Sequence, residues 1–145
     1  MNSSAGNFGL YLSIINNAAH SYFYHKLKQF NIGPGQQAYL ISIAPGEVII
    51  QDELVKRLKV DKANVARALK DLEIKGYIIR NRNTKDKRIW KVELTEAGIN
   101  TRTEIVKIAD KWIDRLKSPL SIEQWDDLQK CLGIISDSLN YSTNP

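Results

Sequence analysis

A mainly α-helical fold carrying one small β-hairpin is what this 145-residue sequence predicts, and three observations predict it. Apolar residues recur at three- and four-residue steps over long stretches near both ends. Between them lie two shorter helical patterns separated by a tight break. Directly afterwards, two runs that alternate apolar and polar residues flank a polar turn.

From Phe8 to about Lys28, the residues Phe8, Leu12, Ile15, Ala19 and Tyr22 trace the stripe of a long amphipathic helix. Gly33, Pro34 and Gly35 break the chain, and a second, shorter helix runs from Gln36 to Ile43, ending at the Pro45-Gly46 turn. Glu47 to Ile50 is short and rich in β-branched residues, the pattern of a small strand. Asp52 to Lys59 is helical, with Leu54, Val55 and Leu58 on its buried side. Asp61 is placed to cap a helix that runs to about Lys75, where Gly76 ends it.

Tyr77 to Arg82 and Arg88 to Leu94 are expected as strands around the turn 83–87, with Trp90, Val92 and Leu94 facing inward. Thr95 caps a long helix to about Lys117, striped by Ile105, Ile108, Trp112 and Leu116. Ser121 and Gln124 match a capping box for a last helix bearing Trp125, Leu128, Leu132, Ile135 and Leu139. Ser142 to Pro145 are expected to fray.

Composition bounds the class. Hydrophobic residues make up 43% and charged residues 26%, the balance of a globular chain able to bury a core. No apolar run of about 18 residues is present, which excludes a membrane-spanning helix, and no basic stretch followed by an apolar run marks a secretory signal. The one cysteine, Cys131, cannot form an internal disulfide and fits the reducing cytoplasm. It falls within the apolar pattern of the last helix and is expected as a buried thiol.

Charge is polarised. The net value is +5, yet residues 54–92 hold thirteen Lys/Arg against four acids, so that segment carries +9 and the remainder −4. Such a split suggests one basic segment facing a polyanion, with a merely solvated charged face as the alternative at this point.

Two short helices across a tight turn, followed by a basic hairpin, make a winged helix-turn-helix set in a helical platform. On the helix after Asp61, Val65, Ala68, Leu69 and Leu72 share the inner face, and Ala63, Arg67 and Lys70 the outer one, flanked by Asn64 and Ala66. Ala63 and Ala66 let the helix approach base edges closely, Arg67 can pair with guanine and Asn64 with adenine, and Lys62 and Lys70 suit phosphates. In the wing, Arg82, Lys85, Lys87 and Arg88 supply cations. Arg88 is the candidate for insertion into the minor groove, oriented by Asp86; the same pair also reads as an exposed salt bridge that steadies the turn.

At this point the sequence resembles the MarR family. VDKANVARALKDLEIKGYIIR (60–80), NTKDKR (83–88) and VELTEAG (92–98) carry the resemblance: Asp86 and Arg88 match the D-x-R of the wing, and Leu94, Thr95 and Gly98 match L-T-x-x-G. The likeness extends to the flanking helices by order and length. It implies a homodimer in which the first, fifth and sixth helices interlock, with two winged modules on a pseudo-palindromic duplex site. It further implies a transcriptional repressor released from DNA by a small anionic or phenolic effector. Within a single domain, 1–145, residues 46–94 would be the DNA-binding lobe, and 1–45 and 95–145 the dimer platform. Ile50 stands where a Ser or Thr often caps the first helix of the motif, and Ala63, Asn64 and Ala66 replace commonly hydroxylated positions.

An effector crevice between lobe and platform would draw on Tyr22, Tyr24, His25 and Tyr39, although aromatics at helical spacing also fit a core. His20 and His25, five residues apart on one helix, do not form a shared metal site. No cofactor motif, metal cluster or paired nucleophile and base is present, so an enzyme is not expected. A winged-helix module that binds protein is the competing class. An uncharged outer face would favour it, and the +9 segment argues for double-stranded DNA.

Overall fold

The computed structural model describes residues 4–139, so the expectation for Ser142 to Pro145 lies outside the described residues. Six α-helices and three short strands follow one another: α1 (Ser4–Leu27), α2 (Gln36–Ser42), β1 (Ile49–Ile50), α3 (Gln51–Leu58), α4 (Lys62–Ile74), β2 (Ile78–Arg82), β3 (Trp90–Leu94), α5 (Glu96–Lys117) and α6 (Ile122–Ser138). A single 3-10 turn, Lys28–Phe30, ends α1 at Asn31, which takes a left-handed conformation. The sheet is antiparallel in the order β1-β3-β2, with Ile49 opposite Val92 and Ile78 opposite Leu94. The mainly helical class with a small hairpin wing is the one the sequence predicts.

Local chemistry sets the boundaries. Asp61 accepts the backbone N–H of Asn64 at 3.0 Å and starts α4. Gly76, at φ +80°, closes it: Gly76 N–H donates to Glu73 O and Tyr77 N–H to Leu72 O, the paired bonds of a left-handed helix stop. That second bond occupies Tyr77, so β2 begins at Ile78 rather than at Tyr77. The first strand is shorter than expected for a similar reason. Glu47 N–H is taken by Ala44 O in the turn, and its carboxylate by Ala44 N–H and Arg57, leaving only Ile49 and Ile50 to pair. Ile50 provides no side-chain cap for α3, as its apolar side chain dictates. Ser121 and Gln124 form the reciprocal capping box at the start of α6.

One core runs through the chain: Leu27 from α1, Leu40 from α2, Leu54 from α3, Val65, Leu69 and Leu72 from α4, Ile78 and Val92 from the sheet, and Ile105 from α5. It does not divide at residue 46, because Tyr39, Leu40 and Ile43 join the same cluster as α3 and α4. The expected inner face of α4 is therefore the observed one, with Ala68 half-buried beside its three buried neighbours.

The seam between hairpin and α5 is tight. Thr95 caps α5 by accepting Gly98 N–H at 3.0 Å; its hydroxyl donates to Gly76 O at 2.6 Å and its N–H to Tyr77 O at 3.1 Å. A Cβ on Gly98 would stand 1.9 Å from Tyr77 O. Thr95 thus ties the helix start to the α4 stop, and Gly98 lets the Tyr77 carbonyl in.

Candidate nucleic-acid interface

The exposed face of α4 carries Lys62, Ala63, Asn64, Arg67 and Lys70. Three polar groups along it form a chain. The Asn64 side-chain amide donates to the Asp61 carboxylate, and its carbonyl oxygen accepts from the Arg67 guanidinium. Every member is exposed, so these bonds can exchange for bonds to a base edge at little net cost. Lys62 Nζ lies 3.5 Å from Asp52 Oδ1 with its side chain 70% exposed, a pairing too open to hold it from a phosphate. Lys70 is exposed about two turns further along.

The wing is built from its own turn bonds. Asn83 N–H donates to Ile89 O at 2.8 Å and Ile89 N–H to Asp86 O at 3.0 Å. Asp86 Oδ1 also accepts Arg88 N–H at 3.0 Å and Arg88 Nε at 3.1 Å, while Oδ2 accepts Nη2 at 3.1 Å. These bonds hold Arg88 and Ile89 in the turn, so β3 starts at Trp90 rather than at Arg88. The Arg88 guanidinium, with the Arg88 N–H behind it, keeps the Asp86 carboxyl below the usual carboxylate range. Arg88 itself is 90% exposed at the tip, and Lys85 and Lys87 are exposed on either side of Asp86.

Arg82 is less free than its place in the sequence suggests. It donates to Lys87 O at 3.2 Å and its guanidinium lies 4.7 Å from the Trp90 ring centroid. Arg80 lies over the same ring at 5.0 Å and pairs with Glu73 of α4 through Nε and Nη2, both at 2.9 Å. Glu73, Arg80 and Trp90 were not among the candidate residues. The signal for them was the hairpin register, which puts Arg82 opposite Trp90 and Arg80 on the same face.

The four aromatic candidates for an effector crevice do not share one cavity. Tyr39 is buried against α4, in a cleft of about 480 Å³ also lined by Leu58, Val60, Asn64 and Arg67. Burial, then the Asp61 charge, pushes its hydroxyl pKa up, so it stays protonated. Tyr22 and His25 line a separate 370 Å³ cavity with Ser21, Lys26 and Arg115. The Tyr22 hydroxyl donates to Ile108 O at 3.0 Å and its ring packs 5.3 Å from Trp112. Tyr24 is half-exposed and turned away from Tyr22, facing Lys28 and Lys75, with its ring 5.4 Å from that of His25. The cause is helical geometry: two residues turn a side chain by about 200°.

Among the described residues, no three His, Cys, Asp or Glu side chains stand together to hold a metal ion, and no helix is long and apolar enough to cross a membrane. Cys131 is exposed in the protomer, against the expectation of a buried thiol. The reason is that none of α6 is buried: its apolar stripe is left uncovered by the described residues.

Comparison with known proteins agrees with the geometry. The profile of the MarR family matches residues 34–90. The HTH-type transcriptional regulator SarZ of Staphylococcus haemolyticus is 31% identical over 106 residues, covering 72% of this chain and 71% of SarZ. A MarR transcriptional regulator from Methanosarcina mazei superimposes with a TM-score of 0.78 at 32% identity, over 90% of this chain and 94% of that one. The S. aureus MepR–DNA complex superimposes with a TM-score of 0.80 at 26% identity, over 91% and 98% of the two chains. The chain belongs to the MarR family of winged helix-turn-helix transcriptional regulators.

Proposed function

We propose that this regulator reads double-stranded DNA as a homodimer, with α4 in the major groove and the wing along the adjacent minor groove, and that it represses transcription. The observation that carries the reading is the exposed row of Lys62, Ala63, Asn64, Arg67 and Lys70 on one face of α4, beside a wing whose Arg88 is oriented by Asp86. Arg67 and Asn64 read base edges, Lys62 and Lys70 meet phosphates, and Arg82, Lys85, Lys87 and Arg88 serve the wing. MepR, a structural relative, has been solved bound to DNA.

The dimer reading rests on α1 and α6. Phe8, Leu12 and Ile15 of α1 and Leu128, Leu132, Ile135 and Leu139 at α6 are all exposed in the protomer. An apolar surface of this extent on two long helices calls for a covering partner, and a second copy supplies the same surface. In that assembly residues 46–94 are the reading lobe, joined by α2, on a platform formed by the rest. Two-fold symmetry then sets two recognition helices about 34 Å apart on a pseudo-palindromic site. A small phenolic or anionic effector, bound near Tyr22 and His25 or near Tyr39, would release DNA only to the extent that it prefers the unbound spacing. The protein works in the cytoplasm.

The test is selection of duplexes from a random pool at about 150 mM salt, where non-specific binding is weak. An inverted repeat with half-sites one turn apart is the expected product. Recovery of no sequence would leave this surface to a protein partner.

A further inference from the structure

We propose that Trp90 is a positioning residue for the wing, fixing its setting relative to the recognition helix. Its consequence for DNA rests on the function proposed above; its geometry does not.

The path from reading helix to wing tip is continuous. Glu73 of α4 holds Arg80 through two charge-assisted bonds at 2.9 Å and also accepts Arg80 N–H at 3.3 Å. The Arg80 and Arg82 guanidinium groups lie 5.0 and 4.7 Å from the centroid of the one indole. Arg82 then donates to Lys87 O, one residue before Arg88. Two like charges two residues apart on a strand repel each other, and here the ring's negative face attracts both. Arg80 is mostly covered and already neutralised by Glu73, whereas Arg82 is exposed, so the ring is what holds Arg82 along the stem. A hairpin of two five-residue strands is marginal by itself. Beyond the turn's own backbone bonds, stiffness near the tip comes from side chains, and Trp90 is the largest of them; Ile78, Val92 and Leu94 sit at the core end. Arg82 is therefore set in place before DNA arrives, and the wing meets the duplex at the angle Glu73 dictates.

Two variants and two readouts decide the matter. Trp90→Val keeps a strand-forming residue but removes the ring; Trp90→Phe keeps an aromatic face. In the free protein, Trp90→Val should speed amide hydrogen exchange at Asn83 and Ile89 by about tenfold, the worth of two exposed cation–π contacts. Exchange at Val65 and Leu69 in α4 should not change, and Trp90→Phe should lie near wild type. On the duplex selected by the wild-type protein, Trp90→Val should weaken binding about tenfold, and that loss should vanish in an Arg88→Ala background, where the tip has nothing left to place.

Unchanged exchange at the wing amides would overturn the clamp. So would equal acceleration in α4, which would mark general destabilisation. A full loss persisting alongside Arg88→Ala would show that Trp90 does not act through the tip. Failure of the wild-type protein to select any duplex would refute DNA reading, and the exchange comparison would still decide whether Trp90 holds the wing.

Discussion

Replacing Gly98 with alanine should open the seam where α5 starts against the hairpin. An added Cβ would stand 1.9 Å from Tyr77 O and 2.9 Å from Tyr77 C, and ordinary contact begins at 3.4 Å. The carbonyl must therefore retreat by about 1.5 Å. The obstacle is backbone, so no side-chain rotation relieves it. That retreat stretches the bonds from Thr95 N–H to Tyr77 O and from the Thr95 hydroxyl to Gly76 O. Overpacking of about 1–3 kcal/mol, with two weakened hydrogen bonds at about 1 kcal/mol each, outweighs the roughly 1 kcal/mol alanine gains over glycine in a helix. A net loss of about 2–4 kcal/mol follows, or a melting temperature lower by about 5–15 °C for a chain this size. Thermal and urea unfolding at one fixed protein concentration measure it, with Gly33→Ala as the control. There the nearest atom is 3.8 Å away, and the change should be nearly neutral. A Gly98→Ala variant within about 0.5 kcal/mol of wild type would refute the reasoning, since that is the scatter of ordinary surface changes.

Three further outcomes separate the roles of other residues. Arg67→Ala should cost about 1–3 kcal/mol on the selected duplex and relax preference at one base pair, whereas Lys62→Ala should weaken all duplexes alike and reduce the salt slope by about one; equal effects of the two in a binding titration would contradict the assigned contacts. Leu132→Glu places a charge on the exposed apolar stripe of α6 and should turn a dimer into a monomer in sedimentation at micromolar concentration; a wild-type monomer would remove the dimer reading, and a dimeric variant would move the interface elsewhere. Asp71 is held below its ordinary value of 3.8 by Lys75 and then by Gln36. Its carboxylate therefore contributes stability that is full above that value and is lost as pH falls through the lowered one. The gap in urea midpoint between wild type and Asp71→Asn should shrink as pH drops from about 6 to about 2, and a gap independent of pH would show that the charge is irrelevant.

What the sequence made legible was local. Asp61 with Asn64, Thr95 with Gly98, and Ser121 with Gln124 each span three residues, so the chain itself brings donor and acceptor together. The hairpin face was readable from alternation of period two, and Asp86 with Arg88 from their spacing in the turn. What escaped depended on distant partners. That Ile49 pairs with Val92 follows from how the core brings β1 to β3. The crevice aromatics scatter because Tyr22 and Tyr24 point to different sides of α1 and Tyr39 lies on α2, in a separate cleft. Cys131 reads as buried because the apolar pattern of α6 is real, yet no residue of α6 is buried among the described residues.

Which force joins α3 and α4 to the long helices α1 and α5 can be decided by magnitude. One candidate is polar: Lys59, left-handed in the turn between α3 and α4, reaches Ser136 O at the end of α6 and lies 3.5 Å from Asp137. Asp137 is 88% exposed, and a pair so open is worth at most about 1 kcal/mol. The other is apolar. Leu27 of α1, Leu40 of α2 and Ile105 of α5 are fully buried in the same cluster as Leu54 and Leu69. Each buried side chain of that size contributes about 1.5–3 kcal/mol, so three of them outweigh the ion pair several-fold. Salt that screens Lys59 from Asp137 will therefore not part the two halves. The apolar packing of α1, α2 and α5 against α3 and α4 therefore outweighs the Lys59–Asp137 pair in holding these helices together.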